Sequence, residues 1–377
     1  MRIGYLFRGY LADIKLDSDG NELSTPDGNA TYSWCIEHEC HKRKHVLIPL
    51  GENLDMHAGS LLGEEMFAAY SKNKRVKSYE RMLNQGWIKL SDKKFPDLDV
   101  VLIEWRWPIP GRNTPDDVGK PYYQRDLARQ EEVLKYYSDK GTPIILWDLD
   151  HKITLEDEKK WSNVAGIIET SMKPRNLSIV RTSVDPPFVV GDLLQHDIND
   201  KMPVYQIGYI GSRYERDETI DKWINPIAKI NSYRVKFWGK WEPREEVEKR
   251  WPGIKFEGRV SVKDFREIYS KVAIVPLLAK NSYYECGFIT PRPVEAVLFG
   301  SIPVGLSDHL GVENYAFDVA TSPTDLLDIA VRVRTISPLR RNVFREEVAH
   351  NLLRVDVKNF VDVIEKLGSV AVAETIE

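Results

Sequence analysis

Cysteine is scarce in this sequence, and long apolar runs are missing from it. Cys35, Cys40 and Cys286 are too few and odd in number to form a disulfide framework in 377 residues, so a reducing compartment is expected. No stretch approaches the roughly 18 apolar residues of a membrane span. The first residues show no basic segment ahead of a long apolar run, as a signal peptide would. We therefore expect a cytoplasmic protein with no membrane partner.

An excess of positive charge is also lacking. The 53 lysines and arginines against 57 aspartates and glutamates give a net charge of −4. This excludes a chain-wide basic field of the kind that drives bulk binding to nucleic acid. Short basic runs occur at residues 41–45 and 72–77, and each by itself is typical of a solvated helix end. Any contact with nucleic acid is therefore expected in one groove, with acidic surface elsewhere.

Motifs for common cofactors and for zinc are not matched. The glycine-containing turn at residues 207–216 fits neither the G-x-G-x-x-G nor the G-x-x-x-x-G-K-[ST] pattern. Cys35 and Cys40 lie near two histidines within a predicted helix, but their spacing fits no standard zinc pattern. The sequence therefore indicates no required cofactor; a divalent metal is compatible with it but not indicated.

Strands and helices alternate along the chain. Because a single core stops growing near ~250–300 residues, two domains are expected. Predicted strands cover residues 2–7, 45–50, 97–105, 143–147, 164–169 and 178–182 in the first half, and 204–209, 233–238, 254–258, 272–277 and 302–306 in the second. Three prolines and a polar cluster at residues 183–204 mark the junction. We assign residues 1–195 to an N-terminal domain, 196–345 to a C-terminal domain, and 346–377 to a helix that returns to the N-terminal domain.

This alternation predicts the α/β class with two Rossmann-like, doubly wound domains that face a cleft. Open parallel sheets bind their ligands beyond the carboxyl ends of the strands. Polar and charged residues that directly follow predicted strands are therefore the candidates for ligand binding and catalysis.

The most informative stretch is residues 288–300. Thr290 is predicted to be the N-cap of a helix, with Pro291 at its first position. Arg292 then lies in the first turn, where free N–H groups and the helix dipole already favour anions. Glu295 follows three residues later on the same face and could accept hydrogen bonds from ribose hydroxyls. The alternative, an ion pair of Arg292 with Glu295 on a solvated helix, is less favoured because apolar strands flank this helix.

The turn after residue 210 offers a second site for phosphate. Gly211 permits close backbone approach, and Ser212 provides an N–H group and a hydroxyl. Arg213 and Arg216 are three residues apart where the next helix begins. Two arginines at this position suit a diphosphate. The glycine alone is a weak signal, because glycine is common where a strand turns into a helix.

Acidic residues follow the predicted strand that ends at residue 147. Asp148 and Asp150 are joint candidates for a general base that takes a proton from an acceptor hydroxyl. For either residue, a loop-capping role in an Asx turn is about as well supported.

These features resemble the GT-B glycosyltransferases, and more closely the phage DNA β-glucosyltransferases. The segment from Phe288 to Glu295 resembles the donor-binding helix of that family, in which the arginine contacts the diphosphate and the glutamate the ribose. Residues 209–216 resemble its phosphate loop, and residues 236–239, ending at Gly239, its nucleotide-contact strand. The resemblance is specific over residues 204–310 and faint before them. Bacterial CgeB-like glycosyltransferases share the Arg-x-x-Glu helix more distantly.

The resemblance implies an enzyme that moves a hexose or pentose from a nucleotide-diphosphate sugar, with UDP as the usual carrier. The acceptor would be the hydroxyl of hydroxymethylcytosine or hydroxymethyluracil in double-stranded bacteriophage DNA, reached in the host cytoplasm with inversion at the anomeric carbon. A glycan or small-molecule acceptor, or a non-catalytic nucleotide-binding module, stays open. As further contacts to acceptor or sugar, the resemblance and the clusters of aromatic and basic residues suggest Asn29, Trp105, Arg106 and Tyr284. The family has an acidic residue at the place of Asn29.

Overall fold

The computed structural model contains two six-stranded parallel sheets with helices around them. It describes residues 1–6, 28–50, 95–105, 132–149, 151, 153–160, 164–172, 181–183, 202–230, 234–260 and 264–374. Among these residues no helix is long and apolar enough to cross a membrane.

The first sheet is built from the N-terminal half of the chain. Its strands are β1 (Arg2–Leu6), β2 (Val46–Pro49), β3 (Val100–Glu104), β4 (Ile144–Asp148), β5 (Val164–Glu169) and β6 (Arg181–Ser183). They pair in the order β2-β1-β3-β4-β5-β6, and every pair is parallel. All residues of β3 and β4 are buried, which explains why these strands are apolar throughout instead of alternating. The described helices of this half are α1 (Gly28–Lys42), α2 (residues 132–139) and α3 (Leu155–Lys160).

The second sheet has the strand order of a Rossmann fold. Its strands are β7 (Tyr205–Ile210), β8 (Val235–Trp238), β9 (Lys255–Phe256), β10 (Val272–Pro276), β11 (Ile302–Leu306) and β12 (Asp318–Ala320). They pair in parallel in the order β9-β8-β7-β10-β11-β12. The order reverses between β7 and β10, and such a switch point opens a crevice at the carboxyl ends of the two strands.

Eight helices among the described residues accompany the second sheet or follow it. They are α4 (Asp217–Thr219 and Asn225–Ile230, joined by a π turn at Ile220–Ile224), α5 (Arg244–Arg250), α6 (Phe265–Tyr269), α7 (Asn281–Cys286), α8 (Arg292–Phe299), α9 (Pro323–Thr335), α10 (Pro338–Asn351) and α11 (Val357–Glu374). Helix α8 is buried from Pro293 to Phe299, so it lies inside the domain and not on a solvated face.

The last helix, α11, packs against the first sheet. The Phe360 ring lies 4.7 Å from the ring of Trp147 on β4. Arg43, just beyond α1, donates to Asp362 at 2.5 Å and to Glu365 at 3.0 Å. The end of the chain therefore covers part of the sheet with which the chain begins.

The predicted fold class, α/β with two Rossmann-like sheets, is confirmed. Helices α5 and α7 and strand β12 were not predicted, because they are short and their apolar residues are too few for a clear period. The N-cap prediction for Thr290 is wrong: α8 begins one residue later, with Pro291 at the N-cap and no side-chain capping bond. The predicted domain junction at residues 183–204 lies mostly outside the described residues, so the domain boundaries stay predictions.

Candidate functional site

Arg292 lies at the switch point of the second sheet. As the first residue of α8 it places its guanidinium across the end of β7, where Nε donates to the carbonyl of Ile210 at 2.9 Å. The same guanidinium lies over the ring of Tyr209, 4.9 Å from the ring centroid. A Cβ atom on Gly211 would come within 2.7 Å of Arg292 Nη2. A side chain at residue 211 would therefore displace the Arg292 guanidinium or the Tyr209 ring.

A second glycine brings the ends of β7 and β8 together. Gly239 has φ +120°, and a Cβ atom there would lie 1.9 Å from the carbonyl oxygen of Gly211. The N–H of Gly211 donates to Trp238 at 2.9 Å, and that of Gly239 donates to Gly258 at the same distance. The backbone of two strand ends is thus gathered directly beside Arg292.

Arg216 supports the loop after β7 from inside. Its side chain is buried, and Nη1 donates to the carbonyls of Ser212 at 3.1 Å and Tyr214 at 2.7 Å. Its Nε is buried, and no described atom accepts a hydrogen bond from it. A buried cation with an unused donor next to a glycine turn suits an anionic ligand.

Arg213 is arranged differently, because carboxylates already neutralise it. Its guanidinium donates to Asp217 at 2.9 and 2.6 Å and to Glu246 at 2.6 Å. These hydrogen bonds raise the pKa of Arg213. Ser212 and Arg213 line an open cavity of about 840 Å³, with Tyr214, Glu215, Asp217, Lys240 and Glu242.

Glu295 is buried one turn beyond Arg292 and has its own partner. Its Oε2 accepts a hydrogen bond from the hydroxyl of Tyr269 at 3.0 Å. Burial raises the pKa of Glu295, while the charge of Arg292 and the Tyr269 hydroxyl oppose that rise. Burial acts to lower the pKa of Arg292, but nearby Tyr209 and Glu295 outweigh it and the net shift is upward. Within the described residues Arg292 and Glu295 form no direct ion pair, which excludes the simple surface-pair alternative.

Two other predicted residues of this half lie beside the site. Thr290 is half-buried and lines a small pocket with Phe288 and His309. Tyr284 is buried, and its hydroxyl accepts from the N–H of Ala279 at 3.0 Å. Burial raises the pKa of Tyr284. Its hydroxyl is therefore engaged by the backbone inside the domain.

Asp148 is the last residue of β4 and is completely buried. Its Oδ2 accepts a hydrogen bond from the N–H of Ile153 at 3.2 Å, so it does cap the loop that follows the strand. Asp150 and Arg106 lie outside the described residues, as does the side chain of Asn29 within α1. Trp105 is buried, and its backbone N–H donates to the carbonyl of Trp147 at 2.8 Å.

Two further buried carboxylates at this edge of the first sheet were missed from the sequence. Glu104 ends β3 and Glu169 ends β5, on either side of Asp148. Glu169 pairs with Asp148 in the strand register, and its Oε1 accepts from Ser171 at 3.4 Å. The available signal was an acidic residue that directly ends an apolar strand. It holds for Glu104 and Glu169 as it does for Asp148.

The loops after β4 and β5 contact the segment that leads into α8. His151 Nδ1 lies 3.3 Å from the Cys286 sulfur, and the N–H of Met172 donates to the Cys286 carbonyl at 2.9 Å. The rings of His151 and Phe288 are 6.0 Å apart. The structure thus brings the loop beyond Asp148 next to the chain that precedes Arg292.

No group of three or more histidine, cysteine, aspartate or glutamate side chains is placed to hold a metal ion among the residues described. Cys35 and Cys40 are buried in α1. Burial raises the pKa of Cys40 to about 12, which leaves its thiol protonated.

Comparison with known proteins links the chain to solved structures alone. No family model and no curated protein matches its sequence. A mutant of T4 phage β-glucosyltransferase bound to UDP-glucose is similar at a TM-score of 0.56 and 11% identity, over 97% of this chain and 99% of that one. An α-glucosyltransferase with UDP and a 13-mer DNA containing a hydroxymethyluracil (HMU) base gives 0.57 and 11%, over 98% and 99%. A glycosyltransferase from Rickettsia africae gives 0.52 and 9%, over 98% of both chains.

These likenesses extend over nearly the whole chain, at identities too low to carry more than the fold. The resemblance expected from residues 204–310 is confirmed at that level and reaches the N-terminal half, where the sequence showed it only faintly. The chain therefore has the two-domain GT-B fold of the phage glucosyltransferases.

Proposed function

We propose that the chain is a glycosyltransferase that uses a nucleotide-diphosphate sugar, with UDP as the nucleotide. The observation that carries the proposal is the position of Arg292. It lies at the N-terminus of α8 and over the end of β7, with buried Glu295 one turn further along the helix. An anion-binding helix end beside a buried acceptor for hydroxyls matches a nucleoside diphosphate.

The diphosphate would lie between Gly211–Arg216 and Arg292. Arg292, the N–H groups at the start of α8 and the unused donor of Arg216 supply the positive potential. Arg213 stays a predicted ligand, but its charge is already balanced by Asp217 and Glu246. Ser212 would donate from the loop, and Gly239 would admit the nucleoside beside β8.

The reaction needs a base and a stabilised leaving group. Asp148 or Asp150 would take the proton of the acceptor hydroxyl, whose oxygen attacks the anomeric carbon from the face opposite the diphosphate. The bond from that carbon to the diphosphate oxygen breaks, and the nucleotide leaves with the electron pair. The charge that develops on it is stabilised by Arg292 and the helix end. Such attack inverts the anomeric configuration.

For the acceptor we propose the hydroxymethyl group of a pyrimidine in phage DNA. Support comes from two similar structures, a DNA-modifying β-glucosyltransferase and an α-glucosyltransferase bound to DNA with a hydroxymethyluracil (HMU) base. A base in a duplex must be flipped out to be reached. We expect a flipped base to enter between the two halves of the chain, which meet where the His151 loop contacts Cys286. Asn29, Trp105 and Arg106 are the residues that we expect near it.

A glycan or small-molecule acceptor is the second candidate. It is favoured by the net charge of −4, which does not promote bulk binding to nucleic acid. The two candidates differ in their dependence on salt. Binding to DNA loses affinity steeply as salt rises because phosphate contacts release counterions, whereas binding to a neutral glycan does not.

The test is a panel of UDP-sugars assayed for UDP release with three DNA duplexes, which contain hydroxymethylcytosine, hydroxymethyluracil or no modified base, and with free glycans. We expect release that depends on a hydroxymethylated duplex. Arg292→Lys should reduce it about 100-fold, while Arg332→Lys, at an exposed arginine paired with Asp318 on β12, should leave it unchanged. Release with glycans alone would select the second candidate. Binding of UDP without release in any reaction would indicate a non-catalytic nucleotide-binding module.

A further inference from the structure

Tyr269 is the residue directly behind Glu295. It ends α6, is completely buried, and donates its hydroxyl hydrogen to Glu295 Oε2 at 3.0 Å. Its ring is nearly parallel to that of Phe299, at 13° and 6.0 Å between centroids. Its backbone carbonyl accepts a hydrogen bond from Ser301 at 2.7 Å. The ring and the backbone are both fixed, so the hydroxyl has one position.

This contact assigns the two oxygens of Glu295 to different tasks. A phenol hydroxyl donates to a carboxylate, so Oε2 is held from the interior of the domain. The other oxygen remains for a donor that approaches from the side of Arg292. A carboxylate fixed in this way is a directional acceptor, and its position does not depend on the ligand.

The hydroxyl also favours the ionised form of Glu295. Burial raises the pKa of Glu295, and only Arg292 and Tyr269 oppose it among the described residues. A bound diphosphate would engage the charge of Arg292 and weaken its support for the carboxylate. Tyr269 would then be the remaining group that stabilises the carboxylate and is not itself in contact with the ligand.

We propose that Tyr269 is a positioning residue that makes the site selective for ribonucleoside over 2′-deoxyribonucleoside diphosphates. It does so by holding Glu295 as the acceptor for the ribose hydroxyls. The inference rests on the proposed function, since it requires a nucleoside diphosphate with its ribose at Glu295. A 2′-deoxyribose would offer this buried carboxylate only its 3′ hydroxyl, and a site built to bind a hydroxyl discriminates against ligands that lack it.

Calorimetric titration with UDP, 2′-deoxy-UDP and inorganic pyrophosphate tests the inference. The native protein should prefer UDP over 2′-deoxy-UDP by about tenfold or more. Tyr269→Phe keeps the ring and removes only the hydroxyl, and the preference should fall to about twofold with the affinity for pyrophosphate unchanged. Tyr137→Phe is the matched control. It is an equally buried tyrosine in the first half, with its hydroxyl bonded to the carbonyl of Pro96 at 2.9 Å, and it should alter none of the three affinities.

Equal losses for UDP and 2′-deoxy-UDP in Tyr269→Phe would show a merely structural role and overturn the inference. So would an unchanged preference. If the native protein binds neither UDP nor pyrophosphate, the proposed function itself fails, so the two failures are distinguishable.

A measurement on the native protein needs no variant and covers the case in which Tyr269→Phe does not fold. The acceptor is a carboxylate whose pKa is raised, so it is lost as the pH falls through that pKa. The preference for UDP should therefore be present at pH 8 and decline on acidification, while pyrophosphate affinity does not follow the same curve. A preference that stays unchanged on acidification down to the pH at which the protein unfolds would overturn the inference, because Glu295 would not be the group that binds the ribose.

Discussion

The carboxyl edges of the two sheets are built from opposite charges. On the second sheet, Arg292 and Arg216 lie around the glycine turn after β7. On the first, the buried carboxylates of Glu104, Asp148 and Glu169 end three neighbouring strands. A cationic edge suits an anionic donor, and an acidic edge suits the removal of a proton. In the proposed glycosyl transfer, the two sheets would thus divide the donor site and the base between them.

The edges also differ in how they are encoded. The cationic edge comes from two short stretches, residues 211–216 and 290–295, whose spacing is visible in the sequence. The acidic edge comes from three residues up to 65 positions apart, and only the strand register brings Asp148 beside Glu169. Chemistry held in a contiguous motif can be found without a structure, whereas chemistry assembled by pairing strands cannot.

Removal of the acid from the first edge should have the largest effect on transfer. The double variant Asp148→Asn with Asp150→Asn should lower transfer by about 100- to 10,000-fold while the affinity for UDP stays within about twofold, because the donor edge is untouched. Asparagine at 148 keeps an oxygen for the N–H of Ile153, so the loop cap survives. Turnover assays and UDP titration measure the two effects.

Each single variant then shows which aspartate carries the effect. Full activity in the double variant would remove both residues from the mechanism and turn attention to Glu104 and Glu169. A matching loss of UDP affinity would mean that the two edges do not act separately.

A glycine substitution can disrupt the second edge, because this edge depends on close backbone contacts. Gly239→Ala places a Cβ atom 1.9 Å from the carbonyl oxygen of Gly211, on a residue whose φ is +120°. The two strand ends must move apart, and we expect turnover to fall about 100-fold and the free energy of unfolding by about 3 kcal/mol. Gly258→Ala, where a Cβ meets open space, is the control and should change neither quantity. Wild-type UDP affinity in Gly239→Ala would contradict the assignment of the site.

The halves should also differ under acid, and His309 marks the second half. Burial lowers the pKa of His309 to about 4 from an ordinary 6.5. Below pH 6.5 His309 is therefore protonated in the unfolded chain, whereas in the native chain it becomes protonated only near pH 4. The free energy of unfolding falls by up to about 3 kcal/mol over this window. His309→Gln keeps a donor for the Phe288 carbonyl, which lies 3.1 Å from Nε2, but does not titrate.

Urea unfolding of both proteins between pH 7.5 and pH 4.5 measures this effect. The variant should lose less stability on acidification than the native chain. Parallel curves for the two proteins would show that His309 does not set the acid sensitivity.

The smallest expected effect separates the two arginines of one loop. Arg213→Gln should change the affinity for UDP less than about threefold, because Asp217 and Glu246 already neutralise its guanidinium. Arg216→Gln should weaken UDP by about tenfold, since this side chain holds two loop carbonyls and retains a buried donor. UDP titration of both variants decides the ranking. A larger loss at Arg213 would show that a ligand displaces its carboxylates.

Most of the fold could be predicted because buried parallel strands are apolar throughout. The predicted strands 164–169 and 302–306 agree with β5 and β11 to the residue. Strand β12 was missed because Asp318–Ala320 is three residues long and only one of them is buried. The start of α8 was missed by one residue, because a helix can begin at a proline without a side-chain cap and the composition around Thr290 does not reveal it.

The candidate site could be predicted where its residues lie close together in the sequence. It could not be predicted where the environment of a residue depends on a partner that is distant in the sequence. The roles proposed for Arg292 and Glu295 are predicted from the spacing of these residues in one helix. The partner of Glu295 is Tyr269, 26 residues earlier, and nothing in the local pattern around residue 269 announces it. Arg213 was given the same role as Arg216, since only the folded chain brings Glu246 against one and not the other.

The return of α11 to the first sheet also has a consequence for biosynthesis. Phe360 packs on Trp147, and Leu367 lies against Gly166, so a Cβ atom there would come within 2.9 Å of the leucine. When the ribosome has made the first half of this chain, these apolar surfaces of β4 and β5 have no cover, because Phe360 and Leu367 follow the second sheet in the sequence. Until the second sheet and α11 have been synthesised, these surfaces of the first sheet are open to water or to a chaperone.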